Sequence, residues 1–301
     1  SALQTVGTNN VVISYDLSDT TSSGLTVEID ISNDGGSTWT VTDTSVVGDV
    51  DEGITTGSKT ITWDAGADFG NQYENDMRVR VRATDSYGNI GDYSSSANFT
   101  ADTSDPILSN VSALQNSGTN NIIITYNLSD ETSSNINVEL DISQDGGGSW
   151  NVTSTSVTGD VGSGVTTGSG NIITWDAGTD FDVQDQSDIR VRVRATDNFG
   201  NQTNYSESSN FSIDTVDPIV SSVSASQTGG STNVVITYDL VETNNSTIEL
   251  DISEDSGSSW NVTSDSVTGD VGVGITSGSK IITWDAGTDF NSEQQSDLRV
   301  R

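Results

Sequence analysis

The chain contains an internal repeat of about 110 residues, which limits the folds it can adopt. The segment SALQTVGTNN at Ser1 returns with few changes at Ser112 and again at Ser224, and the motif ITWDAGxDF occurs once in each copy. A period of this length is too long for the short solenoid and propeller repeats, and it matches the size of a complete small domain. The sequence therefore predicts three tandem domains, each with its own core.

Alternation of apolar and polar residues within one repeat predicts an all-β fold. Residues 10–17 and 25–32 each place apolar side chains at every second position, so each predicted strand has one buried face. Further strands are predicted around Ile61 and Trp63, over residues 77–83, around Tyr93 and Phe99, and over residues 107–115 at the start of the next repeat. About seven strands in each repeat are typical of two-sheet antiparallel β-sandwiches, and we expect all six tryptophans to be largely buried in them.

Two Asp-x-x-Asp-Pro segments, DTSDP ending at Pro106 and DTVDP ending at Pro218, contain the two prolines of the chain. Proline fixes φ and stiffens a short linker, so these segments mark the junctions. We predict domains at 1–104, with an incomplete first strand, at 105–216 and at 217–301. The third repeat stops short of the last strands of the others. We expect an unpaired edge there, completed by further chain or by a strand from another subunit.

Charge and composition exclude several function classes. The chain has 44 acidic and 10 basic residues, a net charge of -34, no His and no Cys. This charge repels nucleic acids and anionic membranes, so we expect neither nucleic-acid binding nor direct membrane insertion, and cations as partners. Without His and Cys there is no imidazole base, no thiol nucleophile and no zinc site of the usual kind. Adaptation of the surface to high salt is an equally good account of the charge.

All eight arginines fall in one repeated strand pattern, R-V-R-V-R, which begins at Arg78 in the first copy. In a sandwich of this type the strand lies beside the one that carries Glu28 and Asp30, so we expect a ladder of cross-strand ion pairs on the exposed face. Exposed pairs contribute about 0.2 to 1 kcal/mol each, so the ladder fixes strand pairing more than it stabilises the fold. A site for a sugar acid or sulfate on the same stripe is the alternative.

Two acidic motifs resemble catalytic ones but have structural explanations. The turn SNDGGSTW, which begins at Ser32, matches the Asp-box pattern of sialidases, and an Asp-Gly turn followed by Trp also works as a hairpin staple in any β protein. Asp64 and Asp68 of WDAGADF are the candidate catalytic carboxylates, and Asp64-Ala65-Gly66 is predicted to be a turn. We therefore predict that the protein is not an enzyme.

The runs RVRVRATDSYGN and RVRVRATDNFGN, with the junction IDTVDPIV, resemble the bacterial fibronectin-type-III-like and immunoglobulin-like tandem repeats of large surface and adhesin proteins. The resemblance implies an extracellular, cell-surface stalk or filament, often made rigid by calcium at its junctions. The expected role is that of a non-catalytic extended spacer whose partners are neighbouring repeats or identical subunits. The alternative is a carbohydrate- or protein-binding module that uses loop aromatics such as Tyr87 and Phe199.

Aspartates concentrated around the junctions predict calcium sites, because short loop carboxylates can converge on a hard cation. At the first junction the entering strand starts at the end of the sandwich that carries two acidic loops. The predicted calcium ligands are Asp102, Asp105, Asp130, Glu131 and Asp197 at the first junction, and Asp214, Asp217 and Glu242 at the second. A solvated acidic linker that keeps neighbouring domains apart by charge is the alternative.

Overall fold

The computed structural model describes residues 1–21, 23–131 and 135–301, and it confirms the all-β, tandem β-sandwich prediction. Strands account for 53% of the residues and helices for only 4%, so antiparallel sheets carry the whole architecture. The chain divides into two compact units, Ser1–Asp214 and Thr215–Arg301. The first unit contains two repeats with separate hydrophobic cores, and the second unit contains the third repeat.

The first repeat is built from two antiparallel sheets, with strand orders β1-β2-β6-β4 and β5-β3-β7-β8, and β9 also pairs with β7. Its elements are β1 (Ala2–Gln4), β2 (Asn10–Leu17), β3 (Leu25–Ser32), β4 (Val46–Gly48), β5 (Asp51–Ile54), β6 (Gly57–Asp64), α1 (Ala65–Asp68), β7 (Tyr73–Thr84), β8 (Ser94–Ser95) and β9 (Phe99–Asp102). The buried residues of β2 and β3 alternate with exposed ones, as their sequence pattern predicts.

The second repeat has the same topology and the largest core. Its elements are β10 (Ile107–Gln115), β11 (Asn121–Ser129), β12 (Ile136–Ser143), β13 (Val157–Gly159), β14 (Gly162–Val165), β15 (Gly168–Asp176), α2 (Ala177–Asp180), β16 (Asp185–Thr196), β17 (Ser206–Glu207) and β18 (Phe211–Asp214). The sheets have orders β10-β11-β15-β13 and β14-β12-β16-β17, with β18 on β16. Their inner faces enclose one contiguous apolar cluster.

The third repeat keeps the first sheet and only part of the second. Its elements are β19 (Ile219–Gln227), β20 (Asn233–Val241), β21 (Ser246–Ile248), β22 (Ile252–Ser253), β23 (Val267–Gly269), β24 (Gly272–Ile275), β25 (Gly278–Asp285), α3 (Ala286–Asp289) and β26 (Arg299–Val300). The position of β12 is taken by the short β21 and β22, which pair with β24 and β26 respectively. Where the second sheet is incomplete, a groove of about 230 Å³ lies over Ile236, Tyr238 and Leu250.

The six tryptophans are largely buried, as predicted, but in two different environments. Trp63, Trp175 and Trp284 are fully buried, and each contacts the Phe six residues later. The other three, which follow the Asp-Gly turns, keep a minor exposed part: Trp39, Trp150 and Trp260. Each of these lies over an arginine on the outer face of its sheet, so their partners are charged side chains rather than the core.

Two local predictions also need correction. Tyr93 and Phe99 do not share one strand, because the chain forms the short β8 and β9 on either side of a break, both paired with β7. Asp64-Ala65-Gly66 is not a simple turn but the start of the one-turn helix α1, whose N-cap is Asp64; the Asp64 carboxylate accepts the Ala67 N–H at 3.1 Å.

Candidate functional site

The first candidate site is the junction between repeats 1 and 2, where a loop of repeat 2 docks on a turn of repeat 1. The Gly7 N–H donates to the Asn198 carbonyl at 2.7 Å. Gly200 has φ +88°, and a Cβ there would lie 2.9 Å from the Gly7 oxygen. Only glycine fits this close backbone approach, so the loop sequence is suited to the docked arrangement.

Asn201 connects the two repeats and is only 3% exposed. Its Nδ2 donates to the Asp102 carbonyl of repeat 1 at 3.2 Å and to the Asp197 carboxylate of repeat 2 at 2.8 Å. Beside it, the Gln202 N–H donates to Asp105 Oδ1 at 3.1 Å. The linker and the loop are therefore joined by hydrogen bonds, two of which are made by one buried side chain.

The buried side chain of Gln4 bonds to the end of β9, the last strand of repeat 1. Its Nε2 donates to the Asp102 carbonyl and its Oε1 accepts the Asp102 N–H, both at 2.7 Å. Gln115 makes the same pair of bonds with the Asp214 backbone in repeat 2. Sequence reasoning missed these glutamines and Asn201. The available signal was a Gln at one position of all three repeats, three residues before the Gly turn.

The structure brings four of the five acidic residues predicted for the first junction to that junction. Asp102 is 1% exposed, and its Oδ1 accepts the Ser104 N–H at 3.0 Å. Asp197 accepts the N–H groups of Phe199 and Asn201, both at 2.8 Å. Burial raises the pKa of Asp197 above its usual value despite these bonds, and the nearby charge of Asp130 raises it further. Asp105 bonds to repeat 2 as described above, and Glu131, the fifth, is exposed.

The three residues predicted for the second junction fall in different units of the chain. Asp214 ends β18 in the first unit, with its backbone bonded to Gln115. Asp217 is exposed, and Glu242 Oε1 accepts the Thr243 N–H at 2.6 Å. Within the part of the chain that the structure describes, no group of three or more acidic side chains is placed to hold a metal ion. Calcium at either junction stays a prediction.

The second candidate site is the arginine ladder on the outer face of β3 and β7, which the structure confirms. Glu28 lies opposite Arg82 and Asp30 opposite Arg80 in the strand register. Their closest N···O distances are 2.6 and 2.8 Å. The same pairs recur in repeat 2 as Glu139–Arg194 and Asp141–Arg192, and in repeat 3 as Asp251–Arg301.

Aromatic rings cover this ladder. The Arg80 guanidinium carbon lies 4.4 Å from the Trp39 ring centroid and 3.9 Å from that of Tyr93, and Arg82 also stacks on Tyr93. Arg78 takes no part in the ladder; it donates to the Ser96 carbonyl from two nitrogens. Because carboxylates and rings already occupy Arg80 and Arg82, the stripe offers a sugar acid or sulfate little unneutralised charge.

The Asp-Gly turn of the Asp-box pattern is held by its own side chains, as predicted. Asp34 Oδ1 accepts the Ser32 hydroxyl at 2.7 Å and the Thr38 N–H at 2.8 Å, while Oδ2 accepts the Thr38 hydroxyl at 2.7 Å. The hydrogen bonds from Thr38, followed by that from Ser32, lower the pKa of Asp34 to about 2. Asp145 and Asp255 make the same set of bonds in the other repeats. The carboxylate is therefore fully used in closing the turn.

The second candidate catalytic carboxylate, Asp68, is also occupied. It accepts the Trp63 Nε1–H at 3.0 Å, the Ser45 N–H at 2.8 Å, and the hydroxyls of Ser45 and Thr44, each at 2.9 Å. Burial alone would raise the pKa of Asp68, but these hydrogen bonds outweigh it and lower the pKa below its usual value. Asp180 and Asp289 anchor the buried Trp in the same way in the other repeats.

The chain was compared with protein-family models and with curated proteins. No family model matches the chain, and no curated protein matches it. Among the described residues, no helix has the length and apolar character needed to cross a membrane.

Proposed function

We propose that this chain is a non-catalytic structural segment of an extracellular, cell-surface stalk, adhesin or filament, and that it acts as an extended spacer. The observation that carries the proposal is the docked junction between repeats 1 and 2. A flexible linker would leave loop and linker hydrated, whereas here Asn201 and Asp102 are buried and bonded across the junction. A junction of this kind limits bending between neighbouring domains.

The carboxylates that sequence analysis raised as catalytic candidates support the same proposal. Asp64 caps a helix and Asp68 anchors the buried Trp63. The same arrangement recurs in all three repeats, so no repeat is distinguished by a separate set of polar residues at these positions. Repeated structural use of the same polar groups is the pattern expected of a spacer.

Distance measurement between spin labels tests the spacer proposal. Because the chain has no cysteine, Glu52→Cys and Ser163→Cys, at equivalent exposed positions of β5 and β14, give one specific label in each repeat. A rigid junction gives one narrow distance distribution in the full chain. Adding Asn201→Ala broadens it, and adding Asn89→Ala, in the exposed equivalent loop, does not. A broad distribution in the otherwise unchanged chain overturns the proposal.

A binding module presented through the loops is the second candidate, and one observation favours it. Tyr87 is 78% exposed and Ile90 is 63% exposed in the same loop of repeat 1. Large exposed apolar side chains that lie together are typical of an interaction surface. A glycan array tests for carbohydrate as the ligand: binding that is lost with Tyr87→Ser supports this candidate, and absence of binding to every glycan removes carbohydrate from it.

Stiffening of the junctions by calcium is part of the proposal that thermal melts can test. We expect calcium to raise the unfolding midpoint relative to chelator at one fixed high ionic strength, because a cation held in the folded state by carboxylates such as Asp105, Asp130 and Asp197 would favour that state. Magnesium at equal concentration controls for general screening. An unchanged midpoint means that these carboxylates are simply solvated or hydrogen-bonded.

A further inference from the structure

The two sheets of repeat 2 differ in what their outer faces carry. The outer face of β12 and β16 carries the ion pairs of the arginine ladder. The outer face of the other sheet, over the described strands β10, β11 and β15, carries only hydroxyl and apolar side chains at its centre. We call this second surface the uncharged face and define it by two cross-strand rows, Leu114–Ile123–Thr174 and Ser112–Thr125–Ile172.

Three large apolar side chains lie together on the uncharged face. Leu114 faces Ile123 directly across β10 and β11, and Ile172 lies diagonally beside Ile123 on β15. Leu114 is 62% exposed and Ile172 is 46% exposed. Single exposed apolar residues are ordinary on a protein surface, whereas a contiguous apolar group with a polar border is typical of interaction sites. This group therefore points to a partner.

The apolar group is exposed although repeat 2 has a neighbouring repeat on each side in the chain. It is also complete in repeat 2 alone. Repeat 1 has Thr60 at the position of Ile172, and repeat 3 has Ser226 at the position of Leu114. The most apolar version of this surface is therefore that of repeat 2, which selects this repeat as the place of the contact.

The polar groups on and around the uncharged face already have partners. The Ser112 and Thr125 hydroxyls bond to each other at 2.8 Å. The carboxylates at its border are also occupied: Asp160 Oδ2 accepts the Ile172 N–H at 2.8 Å, and Asp176 caps α2. Covering the centre of the face therefore leaves this hydroxyl pair satisfied and keeps the two carboxylates at the rim, where water can reach them.

We propose that the uncharged face of repeat 2 is a contact between two copies of this chain, which meet face to face about a two-fold axis. A basic partner would be attracted to the acidic surfaces elsewhere, and a nucleic acid or anionic membrane is repelled by the net charge of -34. A second copy presents an identical face without carboxylates at its centre. The proposal goes beyond the spacer function and does not depend on it.

The size of the face predicts weak association. β10, β11 and β15 have nine residues each, so together they cover about 14 Å by 30 Å. Two such faces bury about 800 Å², which is the size of weak and transient contacts and not of permanent dimers. Salt should strengthen the contact, because it screens the repulsion between the two negatively charged chains.

Sedimentation equilibrium of the full chain at about 1 M salt, where the Debye length is about 3 Å, tests the proposal. We expect a reversible dimer that Leu114→Asp weakens about ten-fold or more, because it places an unpaired charge in the contact. The control is Val273→Asp, a similar change at an 82% exposed position where repeat 1 carries Glu52. The control should leave the dissociation constant almost unchanged, and urea denaturation checks that both variants are folded.

Spin labels locate the contact. Thr158→Cys places one label beside Thr174 at the border of the uncharged face, and Ser163→Cys places one on β14 of the other sheet. Because each chain carries a single label, dipolar coupling arises only between chains. We expect strong coupling for Thr158→Cys, which Leu114→Asp removes, and weak coupling for Ser163→Cys.

Three results would overturn the contact: a chain that stays monomeric at about 1 mM protein, a dimer that Leu114→Asp does not weaken, or equal coupling from the two labels. The spacer proposal is tested separately, by the label distance within one chain. A narrow distance there would leave the spacer standing in each of these cases.

Discussion

The two equivalent loops of repeats 1 and 2 have the same internal hydrogen bonds and opposite electrostatic behaviour. Hydrogen bonds from Asn89 lower the pKa of Asp85, whereas burial raises the pKa of Asp197 despite the equivalent bonds from Asn201. The difference comes from the neighbouring repeat, which covers the second loop and not the first. The local motif thus sets the conformation of the loop, and docking against the neighbouring repeat sets the pKa of its carboxylate.

The largest expected effect comes from adding a methyl group where the two repeats touch. Gly200→Ala and Gly88→Ala both place a side chain at positive φ, which costs about 1 to 2 kcal/mol. Only at Gly200 does the new Cβ also meet the Gly7 oxygen, at 2.9 Å, so we expect about 1 to 3 kcal/mol more destabilisation there. Urea denaturation measures the difference, and equal losses at the two sites would show that docking contributes nothing to stability.

Removal of the bridging amide should have the next largest effect. Asn201→Ala leaves the Asp102 carbonyl and the Asp197 carboxylate each without one buried hydrogen bond, so we expect a loss of about 1 to 3 kcal/mol. Asn89→Ala removes an exposed bond to Asp85, where water can take the place of the amide, and should cost less. Calorimetric unfolding of both variants checks this order. A larger loss of stability for Asn89→Ala than for Asn201→Ala would contradict it.

The two carboxylates should titrate on opposite sides of the value for an unfolded chain, about 3.9. Asp85 has a lowered folded pKa, so its contribution to stability is present above that value and is lost as the pH falls through the folded pKa. Asp197 has a raised folded pKa, so stability decreases as the pH rises from about 3.9 through the folded pKa. Carboxyl chemical shifts measured by NMR give both midpoints.

The same titration in the Gly200→Ala chain sharpens this test. If docking is the cause of the raised value, opening the junction moves the Asp197 midpoint down toward that of Asp85, while Asp85 itself stays unchanged. An Asp197 midpoint that remains high in the variant would place the cause within repeat 2, at Asp130 for example.

The arginine ladder should show the smallest effect, and a similar one in both repeats. Arg80→Gln and Arg192→Gln each remove one partly exposed ion pair and two ring contacts, for which we expect about 0.5 to 1 kcal/mol in urea denaturation. Opening the junction with Gly200→Ala should leave this loss of unfolding free energy unchanged at both sites. Coupling between the ladder and the junction would contradict the view that each ladder belongs to one repeat.

Much of each sandwich could be predicted from the sequence because its patterns are local. Alternation predicted the bounds of β2 and β3, and comparison of the repeats predicted those of β10, as the structure has them. The R-V-R-V-R pattern predicted the Arg80–Asp30 pairing because residues that face each other across paired strands share a face. The stacking of Arg80 on Trp39 was not predicted, because alternation shows which face of a sheet a side chain takes and not which side chain of another segment lies against it.

The repeat, most strands, the Asp-Gly turns and the arginine ladder follow from spacing within about 110 residues or less, so they can be predicted from the amino-acid sequence. The burial of Asn201 and exposure of Asn89, and the opposite pKa shifts of Asp197 and Asp85, depend on the packing between repeats. Both loops carry Asp, Gly and Asn at the same spacing, so this shared pattern does not separate the buried loop from the exposed one. The physical reason is that burial and desolvation depend on what lies against a surface, and repeat 1 lies against one of these loops and not the other.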